Sequence, residues 1–264
     1  MESSSNIQST NNNRRQKLNL QVFGILLIAS LIASFAEIPY ATELLKLPSL
    51  SLQELVVGIL LQTLINIPII LIGLYLGAKV GLGARDLRAL VAREPKALEN
   101  FLKSARDAII IGLIAGGVIL IFSSLWNLIL PLYIAKNIKL PSGIAGFLGS
   151  ISAGINEEII LRLFVMSLLV WLLTKIVRKP QPNDGIIWMA NIIAALLFGA
   201  GHLPLAAEIY KGLTPVIVFY IIFLNSIGGT LFGWLYWKRG ILAAMIAHFG
   251  ADIILHVLPA FFVK

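Results

Sequence analysis

Three clusters of ionisable residues interrupt otherwise apolar stretches of this chain, in the order Glu157-Glu158-x-x-x-Arg162, Phe198-x-x-x-His202 and His248-x-x-x-Asp252. An ionisable group at the centre of a bilayer costs roughly 2.5–3.5 kcal/mol on insertion scales, so such groups in three separate helices need a functional reason. Paired carboxylates and two histidines are the groups that activate water or bind a metal. The pattern points first to an intramembrane hydrolase. Glu158 and Arg162 are i, i+4 with the acid on the N-terminal side, the better order for a helical ion pair. Arg162 then neutralises Glu158 and leaves Glu157 as the freer carboxylate, a candidate general base. Adjacent helical positions lie about 100° apart, so Glu157 and Glu158 are expected to point different ways. His202 lies one turn after Phe198 on the same face, and Gly199, Ala200 and Gly201 between them let another helix come close. His248 and Asp252 are again one turn apart. Asp252 is placed to orient the imidazole, or the two together to bind a carbonyl oxygen or a metal.

The elements that must carry these residues are membrane helices. Hydrophobic residues make up 58% of the 264 and charged residues 13%, and the mean hydropathy is +0.89. A soluble domain would carry about twice that charge. The expected fold is all-α: a polytopic membrane helical bundle of seven to eight transmembrane helices, each needing about 20 apolar residues. Residues 1–17 are polar and read as a disordered tail; residues 18–264 read as a single membrane domain. Apolar runs lie at about 18–36, 55–80, 108–134, 143–177, 185–203, 215–237 and 240–263. The charged stretch from Arg85 to Arg106 reads as an amphipathic or solvated connecting helix interrupted near Pro95. The run 143–177 would measure about 50 Å as one helix, more than a bilayer core needs, so it is expected to tilt, break or protrude.

The net charge of +8 is not a nucleic-acid signal, because the cations sit in short loops between apolar runs. Arg14, Arg15 and Lys17, the stretch Lys79 to Arg106, Lys175 to Lys179, and Lys238 with Arg239 all fall on one side if the N-terminus is cytoplasmic. An integral protein of a prokaryotic-type cell membrane is the expected localisation, with the lipid bilayer and a protein or peptide substrate as partners. The chain has no cysteine, which removes disulfides and thiolate metal ligands.

The three motifs together resemble those of the CPBP family, the CAAX-protease and bacteriocin-processing membrane proteases also called the Abi family. Its members share EExxxR, FxxxH and HxxxN-or-D in that order in successive helices, and all three stand here without a departure. The stretch GWLYWKRGILAAMIAHFGAD also looks like the family's region before its last motif. The resemblance covers about 143–255. It implies an endopeptidase acting in or near the membrane. Glu157 and His202 would position and deprotonate the attacking water, Glu158 would support them, and His248 and Asp252 would stabilise the oxyanion. Arg162 and Phe198 would serve as structural support. The family is described both as metalloprotease and as glutamate-type protease. A Zn2+ reading would use His202, His248 and Glu157 as ligands with one open position; a metal-independent mechanism is its equal alternative. No HExxH signature is present.

Blander readings exist for single residues. Glu158–Arg162 alone could be a structural ion pair, and His202 alone an interior histidine. His256 lies about 80° around a helix from His248 and reads as off the site. Asn66, Asn127, Asn191 and Asn225 read as interhelical hydrogen bonders. Trp234, Tyr236 and Trp237 beside Lys238 and Arg239 read as an interfacial belt. A non-catalytic membrane peptide-binding or immunity-type protein of the same fold is the alternative function. A proton-coupled transporter is disfavoured, since no inverted repeat is visible and the unusual chemistry lies in the second half.

Overall fold

The computed structural model describes residues 2–48, 51–129 and 141–262. Its helices are α1 (Glu2–Leu45), α2 (Leu52–Lys79), α3 (Arg85–Val91), α4 (Ala97–Ile129), α5 (Gly143–Ser152), α6 (Ser167–Ile176), α7 (Asp184–Gly201), α8 (Leu203–Tyr210), α9 (Pro215–Arg239) and α10 (Ile241–Asp252). Among the described residues there is no strand. Among the described residues, seven segments of 21 to 34 residues are long and apolar enough to cross a membrane, which meets the lower of the two expected counts.

α1 begins at Glu2, so the polar segment continues the first span as helix where the sequence suggests a separate tail. It holds no Gly or Pro that would stop a helix propagating back from the apolar run. The charged stretch after α2 divides as expected near Pro95: α3 ends at Val91, left-handed residues at Arg93 and Lys96 turn the chain, and Ala97 starts α4.

The long fourth span neither stays regular nor breaks. Between α5 and α6 the backbone widens into π turns over Ala153–Glu157 and Ile159–Met166. Such i→i+5 turns recur at functional sites, and here they hold Glu157 and Arg162 and flank Glu158. A third wide turn, Ile253–Val257, directly follows Asp252.

α10 is the hub. It packs on α4, α9, α5 and the first wide turn, and small residues set the distances. A Cβ on Gly112 would run into the Ala247 carbonyl of α10, and one on Gly229 of α9 would lie 3.0 Å from Ala195 of α7. Membrane helices associate by such close packing.

α3 folds over the junction of α9 and α10. Arg85 donates to the Trp237 carbonyl. The Gly83 N–H donates to the Tyr236 hydroxyl at 2.8 Å, and that hydroxyl also meets Ser167 at 2.8 Å. Tyr236 is therefore buried core and not part of an interfacial belt, and Trp237 is largely buried with it. Gly240 is buried too, so the turn into α10 is drawn inside the protein. This accounts for His248 lying only two turns into its helix while Glu157 and His202 lie deep in theirs.

Of the interior asparagines, Asn66 donates to Ser30 of α1 and Asn191 to the Thr230 carbonyl of α9, both across helices. Asn225 instead donates to Ile221, one turn back in its own helix. The side chain of Asn127 lies outside the described residues.

Candidate active site

The first motif forms the ion pair its spacing predicts. Arg162 Nε lies 3.2 Å from Glu158 Oε2, and both side chains are 0% exposed. The contact is ionic more than a directed hydrogen bond, because neither of those two atoms has a hydrogen-bond partner. Arg162 also donates through Nη2 to the Gly229 carbonyl at 3.1 Å. Its guanidinium lies over the rings of Phe198 at 5.1 Å and Phe232 at 5.9 Å. Cation–π contacts of this kind gain strength when desolvated.

The two glutamates do not diverge as a regular helix would require. Glu158 Oε1 lies 2.8 Å from His248 Nδ1, and Glu157 Oε2 lies 3.7 Å from His248 Nε2. They straddle one imidazole and address its two nitrogens. Glu157 closes the first wide turn and Glu158 stands between it and the second. Asp252 Oδ2 faces the same Nε2 at 3.6 Å. A carboxylate can only accept, so the Nδ1–H of His248 donates to Glu158 and the Nε2 edge is turned toward Glu157 and Asp252.

His202 joins the cluster differently. Its Nδ1–H donates to the Phe198 carbonyl at 2.9 Å. That fixes the tautomer of the neutral ring and leaves the Nε2 lone pair open. The Phe198 ring stands edge-on to both imidazoles, 4.8 Å from His202 and 5.6 Å from His248. Phe232 stacks on the other side of His248 at 4.6 Å. Phe232 and Gly229 escape a motif-based reading; the only hint is that Phe232 lies between the small residues Gly229 and Gly233 on α9.

Glu157 differs from its neighbour in access: its side chain is 34% exposed. It lines a cavity of about 370 Å³ between α1, α2 and the first wide turn, together with Glu37, Gln62, Ser152 and Asn156. Asn156 ties this turn to α1, accepting from Ser30 at 2.6 Å and donating to Ser34 at 3.3 Å.

A zinc site needs three N or O ligands converging about 2.0–2.2 Å from one point. Among the described residues no three His, Asp or Glu side chains converge in that way. His202, His248 and Glu157 as placed therefore do not make a zinc set.

His256 lies one turn after Asp252, the i, i+4 spacing that brings two side chains together. It stands in the wide turn over Ile253–Val257, and its Nε2 lies 3.9 Å from Asp252 Oδ1.

Residues 140–254 match the family model described as type II CAAX prenyl endopeptidase Rce1-like. The match falls on the part of the chain that holds all three motifs and bears out the resemblance to the CPBP family. No curated protein and no solved structure matches the chain.

Proposed function

We propose that this chain, with its Rce1-like segment, is an intramembrane endopeptidase that hydrolyses peptide bonds of membrane-associated proteins or peptides. One observation carries most of the reading. Glu157 is the motif carboxylate whose side chain is left partly open and lines a cavity, while its Oε2 is buried toward His248. The open side of the carboxylate is free to take a proton from water.

In this mechanism Glu157 removes a proton from the attacking water while the Nε2 lone pair of His202 accepts a hydrogen bond from it. The water oxygen bonds to the scissile carbonyl carbon, whose own oxygen becomes an oxyanion. His248, protonated on both ring nitrogens among its carboxylates, donates from Nε2–H to that oxyanion. Asp252 accepts only, when ionised, so it acts by orienting the His248 ring. The tetrahedral intermediate collapses with cleavage of the C–N bond, and the proton held by Glu157 passes to the leaving amine. Glu158 is engaged by Arg162 and His248 and serves to orient, not to take the proton.

The lysines and arginines of the loops support a cytoplasmic N-terminus. With that orientation the cavity beside Glu157, which lies near the ends of α1 and α2 joined by residues 46–51, is in the half of the bundle away from the cytoplasm.

The test is cleavage of a fluorogenic membrane-peptide library by detergent-purified protein, wild type against Glu157→Ala, with and without chelator. Loss of about 10²–10⁴-fold in the variant and full activity in chelator is the expected result. Activity kept by Glu157→Ala would remove Glu157 from the reaction, and activity lost to chelator would bring a metal into it. A wild type that binds peptides and cuts none would favour the non-catalytic alternative.

A further inference from the structure

Two side chains that no motif contains are aligned with Asp252. The Tyr40 hydroxyl lies 3.1 Å from His256 Nδ1, and the two rings meet edge-on at 5.4 Å. His256 Nε2 faces Asp252 Oδ1 at 3.9 Å, while the other oxygen of Asp252 faces His248 at 3.6 Å. Each imidazole thus has its own oxygen of one carboxylate. With the tyrosine hydroxyl donating to Nδ1, the neutral ring of His256 carries its proton on Nε2 and turns it toward Asp252.

The backbone is shaped for this line. The wide turn after Asp252 places His256. On α5, Gly146 lets the His256 carbonyl come within contact, and a Cβ on Gly149 would sit 2.7 Å from Tyr40 Cγ. One glycine receives the histidine backbone and the other, one turn on, receives the tyrosine ring. Tyr40 comes from α1 and His256 lies past the matched segment, 140–254.

We propose that Tyr40 and His256 are positioning residues for Asp252: they hold one carboxylate oxygen so that the other is presented to His248. This rests on the peptidase reading only for its effect on rate. The orientation itself is a property of the resting protein.

The experiment has two arms, both on the full chain. Kinetics on the cleaved peptide are measured for wild type, Tyr40→Phe, His256→Ala and His256→Gln. His256→Ala is expected to lower kcat by about tenfold or more with KM changed by less than about threefold. Tyr40→Phe is expected to lose less, and His256→Gln, whose amide still donates toward Asp252, to recover part of the loss. The chain has three histidines, so imidazole-15N labelling gives three pairs of ring signals. The His248 signal is expected to move in His256→Ala while that of His202 stays. Wild-type kcat in His256→Ala, a loss confined to KM, or an unmoved His248 signal overturns the proposal. A wild type without Glu157-dependent cleavage would end the peptidase reading, and the imidazole signals alone would then decide the orientation.

Discussion

Glu157 and Glu158 are the same residue type at adjacent positions and differ in what surrounds them. Both oxygens of Glu158 face protein groups, Oε1 on His248 and Oε2 on Arg162. Glu157 leaves part of its side chain open to the cavity. The Glu158–Arg162 pair is wholly buried, where removing one partner leaves an uncompensated charge and costs about 3–5 kcal/mol, while replacing both is far milder. Glu158→Gln and Arg162→Gln are each expected to lower stability on that scale in denaturant titrations in detergent, and the double substitution is expected to recover part of the loss. Single substitutions with unchanged midpoints would show that the pair does not carry its own burial.

At the scale of the elements, α10 holds two site residues and is fixed at its start and along its side. Its first N–H groups, Ile241 and Leu242, donate to Asp86 of α3 at 3.2 and 2.7 Å. This is a cap supplied from a distant helix, needed because Gly240 at φ +108° has no side chain to do it. Asp86→Ala is expected to cost about 1 kcal/mol, within the usual range for a lost N-cap. Burial raises the Asp86 carboxyl above its ordinary value, and the N–H donors of Leu87, Leu242 and Ile241 pull the other way without cancelling it. A raised folded value means the folded protein holds this proton more tightly than the unfolded chain. The contribution of that linkage is full below the unfolded value and lost as pH rises through the folded one. The stability of wild type relative to Asp86→Asn should therefore fall as pH rises over that acid window in thermal scans; a rise would contradict the assignment.

Along the side of α10, α4 supplies an internal comparison. A Cβ at Gly112 meets the Ala247 backbone, whereas nothing lies within 4 Å of one at Gly117. Gly112→Ala is expected to lose about 1–3 kcal/mol by overpacking. Gly117→Ala should gain up to about 1 kcal/mol from helix propensity. Equal effects at the two sites in the same unfolding assay would mean that α4 does not approach α10 as described.

For the whole molecule, the site belongs to the bundle and not to one segment. The motif helices come from the second half, yet the cavity beside Glu157 is walled by α1 and α2, and Tyr40 reaches Asp252 through His256 from α1. The first half thus does more than anchor the chain. Its orientation is open to a clean test because the natural chain lacks cysteine. With a cytoplasmic N-terminus, an impermeant maleimide on intact cells labels Leu213→Cys and leaves Gln181→Cys unlabelled until the cells are opened. The reverse pattern would invert the molecule and place the cavity on the cytoplasmic side.

The sequence by itself determined whatever depends on neighbours along one helix or on solvent. Seven runs too apolar for water and long enough for a bilayer dictate membrane helices. The spacing of Glu158 and Arg162 dictates their ion pair, since residues four apart meet on any helix. The three motifs mark the ionisable groups that the bundle gathers around His248. Tertiary packing decided which helix faces which and where the backbone departs from 3.6 residues per turn. The π turn that brings Glu157 and Glu158 to one imidazole leaves no mark in the hydrophobic period, because a widened turn is selected by the packing around it. The same holds for Phe232 on His248, for Tyr236 taken into the core under α3, and for His256 held by Tyr40. Those contacts join residues far apart in the chain, and local periodicity carries no information about such pairs.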